Sequence, residues 1–141
     1  MMTLFIDTWG WFNLFNRKEK HHQQVVQLYK EVQNKQGRII TTDYVLDEVY
    51  TLLFKRLPVD LAVKAFDTLS MAVENGYIDL VWITPERFEA SQKLRLKFQD
   101  KPDISFTDLT SMAVMQELGM TDILTGDAHF THVGMNFVLF P

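Results

Sequence analysis

Five short apolar runs, separated by longer helical patterns, constrain the fold of this chain most strongly. The runs are rich in Ile, Val, Leu and Phe, and their polar and apolar residues show little alternation. This pattern is typical of strands that are covered on both faces, as in a parallel sheet. The predicted strands are TLFID (3–7), RIITT (38–42), IDLVWI (78–83), DILT (122–125) and NFVLF (136–140).

Amphipathic patterns occupy most of the intervals between these runs and predict helices. Thr84 followed by Pro85 is a typical helix start, and Gly119 is a typical helix end. Another of the helices begins at Thr42 or Asp43, either of which can cap it. The predicted helices cover residues 18–37, 42–57, 59–76, 84–98 and 105–119.

The order of these elements predicts the fold class. It reads β-α-β-α-α-β-α-α-β-turn-β, and strands that alternate with helices favour a parallel sheet with helices on both faces. We therefore expect a three-layer α/β/α sandwich around a central parallel sheet of about five strands. The chain has 141 residues, of which 47% are apolar, so we expect one domain over residues 1–141.

Composition excludes several kinds of site. The chain has no cysteine, which excludes disulfides, thiolate metal sites and a cysteine nucleophile. No apolar run approaches the roughly 20 residues of a membrane span, and the first residues lack the features of a secretion signal. We therefore expect a cytoplasmic protein without membrane association. A net charge of −4 argues against holding nucleic acid by bulk positive charge, but it allows an acidic cleft beside basic clusters.

Four acids, far apart in the sequence, map to one edge of the predicted sheet. Ligands of such sheets bind beyond the carboxyl ends of the strands. Asp7 ends the first strand, and Asp127 follows the fourth. Glu48 lies early in the helix after the second strand, and Asp108 begins the helix before the fourth. Helix phase places Glu48 and Asp108 among apolar residues, where an unpaired carboxylate is costly.

Most of these acids also have a structural interpretation. Asp108 follows Ser105 by three residues, which is the spacing of a capping box. Asp7 is equally compatible with a helix cap, and Asp127 with a turn. Glu48 is the hardest to explain in this way. The hypothesis of a site therefore depends on the convergence of all four.

A cluster of four carboxylates needs a cation. Two carboxylates about 4 Å apart repel by about 4 kcal/mol at an effective dielectric constant of about 20. Oxygen ligands favour Mg²⁺ or Mn²⁺. Such an ion can activate a water and can hold the attacking and leaving oxygens of a phosphodiester. The acids therefore indicate metal-dependent phosphodiester hydrolysis.

The order and spacing of four segments resemble those of PIN-domain ribonucleases, and within them the VapC-type toxins of bacterial type II toxin–antitoxin pairs. The resemblance spans essentially the whole chain. It implies a PIN-like fold, an endoribonuclease that hydrolyses RNA with Mg²⁺ or Mn²⁺, a homodimer, and a cognate antitoxin protein. We expect the apolar surface around Val45, Tyr50 and Phe54 to receive an antitoxin helix. The matching segments are FIDTWGWFNLF, TTDYVLDEVYTLL, ISFTDLTSMAVMQELGMTDILTGDAHF and NFVLFP.

The resemblance also implies roles for individual residues. Thr125, two residues before the last acid, is expected to support the acids through a hydrogen bond. Asp103 is a candidate fifth acid, with a loop position as the alternative interpretation. His129 is interpreted as a turn or substrate-contact residue, because imidazole is a poor ligand for Mg²⁺. The expected catalytic and metal-binding residues are Asp7, Glu48, Asp108 and Asp127.

Three alternatives remain open at this stage. A receiver-like Mg²⁺-binding signalling module would have paired acids after the first strand and a late lysine, whereas FIDTWGW has one acid and LTGDAHF has an aspartate. A haloacid-dehalogenase-like phosphatase would need a second aspartate where Trp9 stands. A PIN fold that serves only as an inert scaffold is disfavoured by the presence of all four acids.

Overall fold

Five strands form the central sheet of the computed structural model, which describes residues 2–141. All neighbouring strands are parallel, which confirms the prediction of an α/β sandwich around a parallel sheet. Every strand except β2 is shorter than its apolar run. The strands are β1 (Thr3–Ile6), β2 (Arg38–Thr42), β3 (Asp79–Val81), β4 (Asp122–Leu124) and β5 (Val138–Phe140). Their order across the sheet is β3-β2-β1-β4-β5, with β1 at the centre.

Six helices pack around the sheet, one more than the sequence predicted. Within residues 2–141, no helix is both long enough and apolar enough to cross a membrane. The helices are α1 (Thr8–Phe15), α2 (His22–Asn34), α3 (Asp43–Arg56), α4 (Val59–Glu74), α5 (Pro85–Lys97) and α6 (Phe106–Leu118), and a 3-10 turn covers Ala128–Thr131.

The helix that sequence analysis missed is α1. Its sequence, TWGWFNLF, has no polar face, so it lacks the periodicity by which an amphipathic helix is recognised. The structure shows why it needs none, because four consecutive residues in its middle, from Gly10 to Asn13, are buried. Trp11 is fully buried, and its indole Nε1 donates a hydrogen bond to Thr41 Oγ1 (3.1 Å). Thr41 Oγ1 in turn donates to the carbonyl of Ile6 (3.0 Å), so these two bonds join α1 to β2 and β2 to β1.

Helix boundaries follow the expected capping residues. The side chain of Thr84 accepts a hydrogen bond from the backbone of Arg87, and Gly119 ends α6 with a φ of 65°. At the start of α3, Thr42 is the cap that the sequence left undecided. Asp43 instead accepts a hydrogen bond from the backbone N–H of Ile83 (2.7 Å), which ties α3 to the chain after β3.

Gly10 allows α1 to approach the sheet closely, and we predict that Gly10→Ala destabilises the protein. An added Cβ would lie 2.7 Å from Ile6 Cγ2 and 3.0 Å from the carbonyl oxygen of Leu124. Overpacking of this kind typically costs about 1–3 kcal/mol, which outweighs the gain of roughly 1 kcal/mol from replacing glycine inside a helix. Urea unfolding measures the difference. A more stable Gly10→Ala protein would show that α1 is not closely packed on the sheet.

Candidate active site and metal centre

Four acids meet at the carboxyl-terminal edge of the sheet. Asp7 follows β1, and Asp127 follows β4, which pairs directly with β1. Asp108 lies in the first turn of α6, and Glu48 lies in the second turn of α3. The carboxylates are close enough that the charges of the other three all raise the pKa of Asp108. The structure therefore brings together the four acids that the sequence singled out.

Asp7 is buried, with only 5% of its surface exposed, and it also caps α1. Its Oδ1 accepts a hydrogen bond from the backbone N–H of Gly10 (3.0 Å), and its Oδ2 accepts one from the Thr125 hydroxyl. Burial raises the pKa of Asp7 to about 7 even though these two bonds lower it, and the charges of Asp127 and Glu48 raise it further. Without a cation nearby, Asp7 is therefore partly protonated at neutral pH.

The turn after β4 holds a second acid in place. The Thr125 hydroxyl, which donates to Asp7, also accepts a hydrogen bond from the backbone N–H of Asp127 (3.0 Å). A Cβ on Gly126 would lie 2.4 Å from the indole ring of Trp9, so only glycine lets that ring pack over the turn. Thr125 thus lies between two of the acids and fixes both.

Asp108 serves the helix cap and the acidic cluster with different atoms. Its backbone N–H donates to Ser105 Oγ (3.0 Å), which makes Ser105 the cap of α6. Its carboxylate interacts with Asp127 instead. Burial is the main cause that raises the pKa of Asp108 to about 7, followed by the charges of Asp127 and Asp7. Asp108 can therefore take part in the helix cap through its backbone and in the acidic cluster through its side chain.

Glu48 is half-buried at the side of the cluster. Helix phase had placed it in the buried stripe of α3, whereas the residues fully covered there are Val45, Leu46, Val49 and Leu53. Glu48 Oε1 accepts a hydrogen bond from the hydroxyl of Thr8, the first residue of α1 (2.7 Å). Sequence analysis did not identify Thr8. Its position directly after Asp7 is the one signal that could have drawn attention to it.

Asp103 lies apart from the four acids, in the exposed loop that precedes α6. It lines an open pocket together with His129 and His132, and none of the four acids lines that pocket. Arg95 holds this loop, because its guanidinium donates to the carbonyls of Ile104 (2.5 Å) and of two further loop residues. The loop position that the sequence offered as one interpretation of Asp103 agrees with this placement.

His129 lies beside the acids, although sequence analysis had set it aside as a ligand. Its backbone N–H donates to Asp127 Oδ1 (2.8 Å), and its ring Nδ1 lies 3.1 Å from the same oxygen. Despite this short distance, Nδ1 is buried and has no hydrogen bond of acceptable geometry to any described residue. Asp108, Asp127 and His129 each present one ligand atom, and these atoms lie within 4.8 Å of one another.

These donors suit a divalent cation. Clustered carboxylates offer the oxygen ligands and the negative charge that such an ion requires, and they are costly to ionise without it. The raised pKa values of Asp7 and Asp108 are the sign of that cost. The orphaned Nδ1 of His129 adds a ring nitrogen at the edge of the same group.

Known proteins are similar to this chain in sequence and in fold. A relative named VapC ribonuclease, from Archaeoglobus fulgidus, is 30% identical over 133 residues, which cover 92% of this chain and 80% of the relative. The crystal structure of Mycobacterium tuberculosis VapC20, described as a sarcin-ricin loop cleaving toxin, superposes with a TM-score of 0.79 at 26% identity, covering 96% of both chains.

A more distant structural relative has the same fold. VapBC2 from Rickettsia felis, solved with a DNA fragment from its promoter, gives a TM-score of 0.70 at 16% identity over 99% of this chain and 98% of its own. The family model described as the PIN domain matches residues 4–135. This match covers nearly the whole chain, and the chain therefore belongs to the PIN domain family.

Proposed function

We propose that this protein is a metal-dependent endoribonuclease and the toxin of a bacterial type II toxin–antitoxin pair. The observation that carries the proposal is the convergence of four carboxylates at one edge of a PIN-domain sheet, two of them with a pKa raised to about 7. The relative named VapC ribonuclease supports the same reaction class. The proposed catalytic and metal-binding residues are Asp7, Glu48, Asp108 and Asp127.

Hydrogen bonds orient the carboxylates that would hold a cation. The carboxylate of Asp7 accepts a hydrogen bond from the Thr125 hydroxyl, that of Glu48 from the Thr8 hydroxyl, and that of Asp127 from the backbone N–H of His129. These carboxylate oxygens are therefore oriented before any ion arrives. A bound Mg²⁺ or Mn²⁺ supplies Lewis-acid activation of a water and neutralises charge on the phosphodiester.

Cation binding at this site is coupled to proton release. Burial keeps Asp7 and Asp108 partly protonated near pH 7, and both must lose a proton to act as ligands. Their carboxylates then face the ion in a partly buried cleft, where electrostatic interactions are stronger than in water. The hydroxyl and backbone donors on Asp7 lower the energetic cost of its ionised form.

The proposed substrate is RNA, which carries one phosphodiester per nucleotide for such a site to cut. The relative VapC20 is described as cleaving the sarcin-ricin loop, and single-stranded and loop RNA is the form whose phosphates and bases are most accessible to proteins. A toxin of this kind acts where RNA and its antitoxin are present, so we also propose a cytoplasmic location.

An exposed aromatic group on α3 and α4 is the proposed surface for the antitoxin. Phe66 packs against both Tyr50 (4.7 Å between ring centroids) and Phe54 (6.3 Å), and 45% of Phe54 is exposed. The expectation that Val45 belongs to this surface is wrong, because it is 99% covered by the core, whereas Phe66 belongs to it. Solved structures with this fold include VapBC complexes. Separately, we propose that the chain forms a homodimer.

Asp7→Asn should abolish RNA cleavage, because it removes a charge from the proposed metal site. Purified protein is incubated with a pool of structured RNAs and Mg²⁺, Mn²⁺ or chelator, and the products are mapped. We expect a loss of at least about a hundredfold, since electrostatic and metal-binding groups commonly contribute that much to rate. The matched control is Asp67→Asn, an exposed change on α4. Full metal-dependent activity in Asp7→Asn would refute the site, and an inactive but metal-binding wild type would favour the inert scaffold.

Asp7→Asn should also change how stability depends on pH in the absence of metal. The folded pKa of Asp7 is about 7 against an ordinary value of 3.8, so the folded state binds more protons than the unfolded state between these values. The free energy of unfolding therefore falls as pH rises through that window. At 1.36 kcal/mol per pKa unit, the loss reaches about 4 kcal/mol near neutral pH, and asparagine avoids it.

Urea unfolding in chelator tests this from about pH 4 to about pH 8. The two proteins should be similarly stable at the acidic end, and Asp7→Asn should be more stable at the basic end. Asparagine can keep the bond from Gly10 and can donate its amide to Thr125, so the local geometry persists. A stability difference that stays constant across this range would show that Asp7 does not titrate in the folded protein.

Phe54→Asp should weaken antitoxin binding without unfolding the chain, because it places a charge on the most exposed ring of the aromatic group. Co-expression with the cognate antitoxin and co-purification measure the complex. Leu96→Asp is the matched control, since Leu96 is 70% exposed on α5, outside this group. Unchanged recovery of antitoxin with folded Phe54→Asp would exclude this surface. Light scattering of the wild-type chain reports the homodimer separately.

A further inference from the structure

The ring of His129 is held next to the acidic cluster by its own backbone. His129 lies in the 3-10 turn Ala128–Thr131 that Asp127 caps, and its N–H donates to Asp127 Oδ1. This bond fixes the residue before its side chain makes any contact. The ring is two-thirds covered, and its Nδ1 points away from solvent.

The buried Nδ1 of His129 lacks a partner, although an acceptor is near. Leaving a buried polar atom unbonded costs about 1–3 kcal/mol. Asp127 Oδ1 is only 3.1 Å away, but none of residues 2–141 offers Nδ1 a well-directed hydrogen bond. A cation between Nδ1 and this carboxylate oxygen would give both atoms a partner.

The spacing of the donors is close to that of ligands on a single ion. Atoms that bind one ion at about 2.1 Å lie about 3.0 to 4.2 Å apart in octahedral geometry. Ligand atoms of Asp108, Asp127 and His129 lie within 4.8 Å of one another, which is close to the upper end of this range.

From these contacts we infer that His129 supplies a nitrogen ligand to the divalent cation, beside Asp108 and Asp127. This inference rests on the proposed function and extends it to the choice of metal. Imidazole binds Mn²⁺, Co²⁺ and Ni²⁺ more readily than Mg²⁺, for which oxygen ligands suffice. The site therefore favours a transition metal over Mg²⁺, and removal of the ring should reduce that preference.

The other three histidines are poorly placed for this role. His21 Nδ1 pairs with Gln24 Oε1 (2.9 Å), and His22 Nδ1 pairs with the carbonyl of Asn13 (2.7 Å). His132 is exposed, and its ring centroid lies 6.4 Å from that of His129. His132 is therefore a matched control, since it is the same residue type on the same pocket but lies farther from the acids.

The test measures metal binding by the full chain without RNA. Chelator-treated wild type, His129→Ala and His132→Ala are titrated with Ni²⁺, Mn²⁺ and Mg²⁺ by calorimetry. We expect His129→Ala to weaken Ni²⁺ and Mn²⁺ binding at least about tenfold, as loss of groups that support a metal commonly does. Mg²⁺ binding should change by no more than about threefold, and His132→Ala should match wild type.

Pulsed electron paramagnetic resonance of bound Mn²⁺ gives an independent reading. Wild type and His132→Ala should show magnetic coupling to a ¹⁴N nucleus, and His129→Ala should lose it. The wild-type spectrum alone decides the matter if His129→Ala does not fold. An imidazolium that only pairs with Asp127 would give no such coupling, and its removal would alter Mg²⁺ and Mn²⁺ affinity equally.

The outcomes separate this inference from the proposed function. If wild type binds Mn²⁺ without nitrogen coupling, or if His129→Ala affects all three metals alike, His129 is not a ligand while the nuclease proposal stands. If wild type binds none of the three metals, both are overturned. Nitrogen coupling that disappears only in His129→Ala, together with a selective loss of Ni²⁺ and Mn²⁺ affinity, supports the inference.

Discussion

The buried carboxylate of Asp7 connects the fold to the site. Asp7 follows β1 and caps α1, and its carboxylate accepts a hydrogen bond from the hydroxyl of Thr125 at the end of the neighbouring strand β4. The same burial raises its pKa to about 7, so its ionised form is unfavourable at neutral pH. The hydrogen bonds of Asp7 therefore hold β1, α1 and the turn after β4 together, while its burial disfavours the ionised carboxylate.

Hydroxyl groups of two threonines contact two of the other acids as well. Thr8 bonds to Glu48 across 40 positions of sequence, and Thr125 serves Asp7 and Asp127 together. Thr8 directly follows Asp7, and Thr125 lies two residues before Asp127. Each strand end therefore carries an acid and a nearby threonine that hydrogen-bonds within the cluster. Such orientation in advance of binding is what a metal site requires, because ligands that are already placed lose little freedom when an ion binds.

The sequence determined the sheet and the four acids because both depend on repeated, long-range patterns. Apolar runs recur five times, Asp7 and Asp127 follow strand ends, and Asp108 and Glu48 lie in the first two turns of their helices. The elements that escaped prediction lack such a pattern. Trp11 and its helix have no polar face, and the partner of Thr8 lies on another helix. His129 was not predicted as a ligand because the ion was assumed to be Mg²⁺. In the structure, however, a ligand atom of its ring lies within 4.8 Å of those of Asp108 and Asp127.

The charge of the chain gives the cation a second role beyond catalysis. Eighteen acids and fourteen basic residues leave a net charge of −4. Four of the acids lie together in the cleft that RNA must enter under the proposed function, so part of this negative charge is concentrated there. Repulsion between that cleft and a phosphate backbone is strong at short range. Under the proposed function, a divalent cation at these acids would reduce this repulsion as well as take part in the reaction, and Mg²⁺, Mn²⁺ and Ni²⁺ would do so alike because each carries two positive charges.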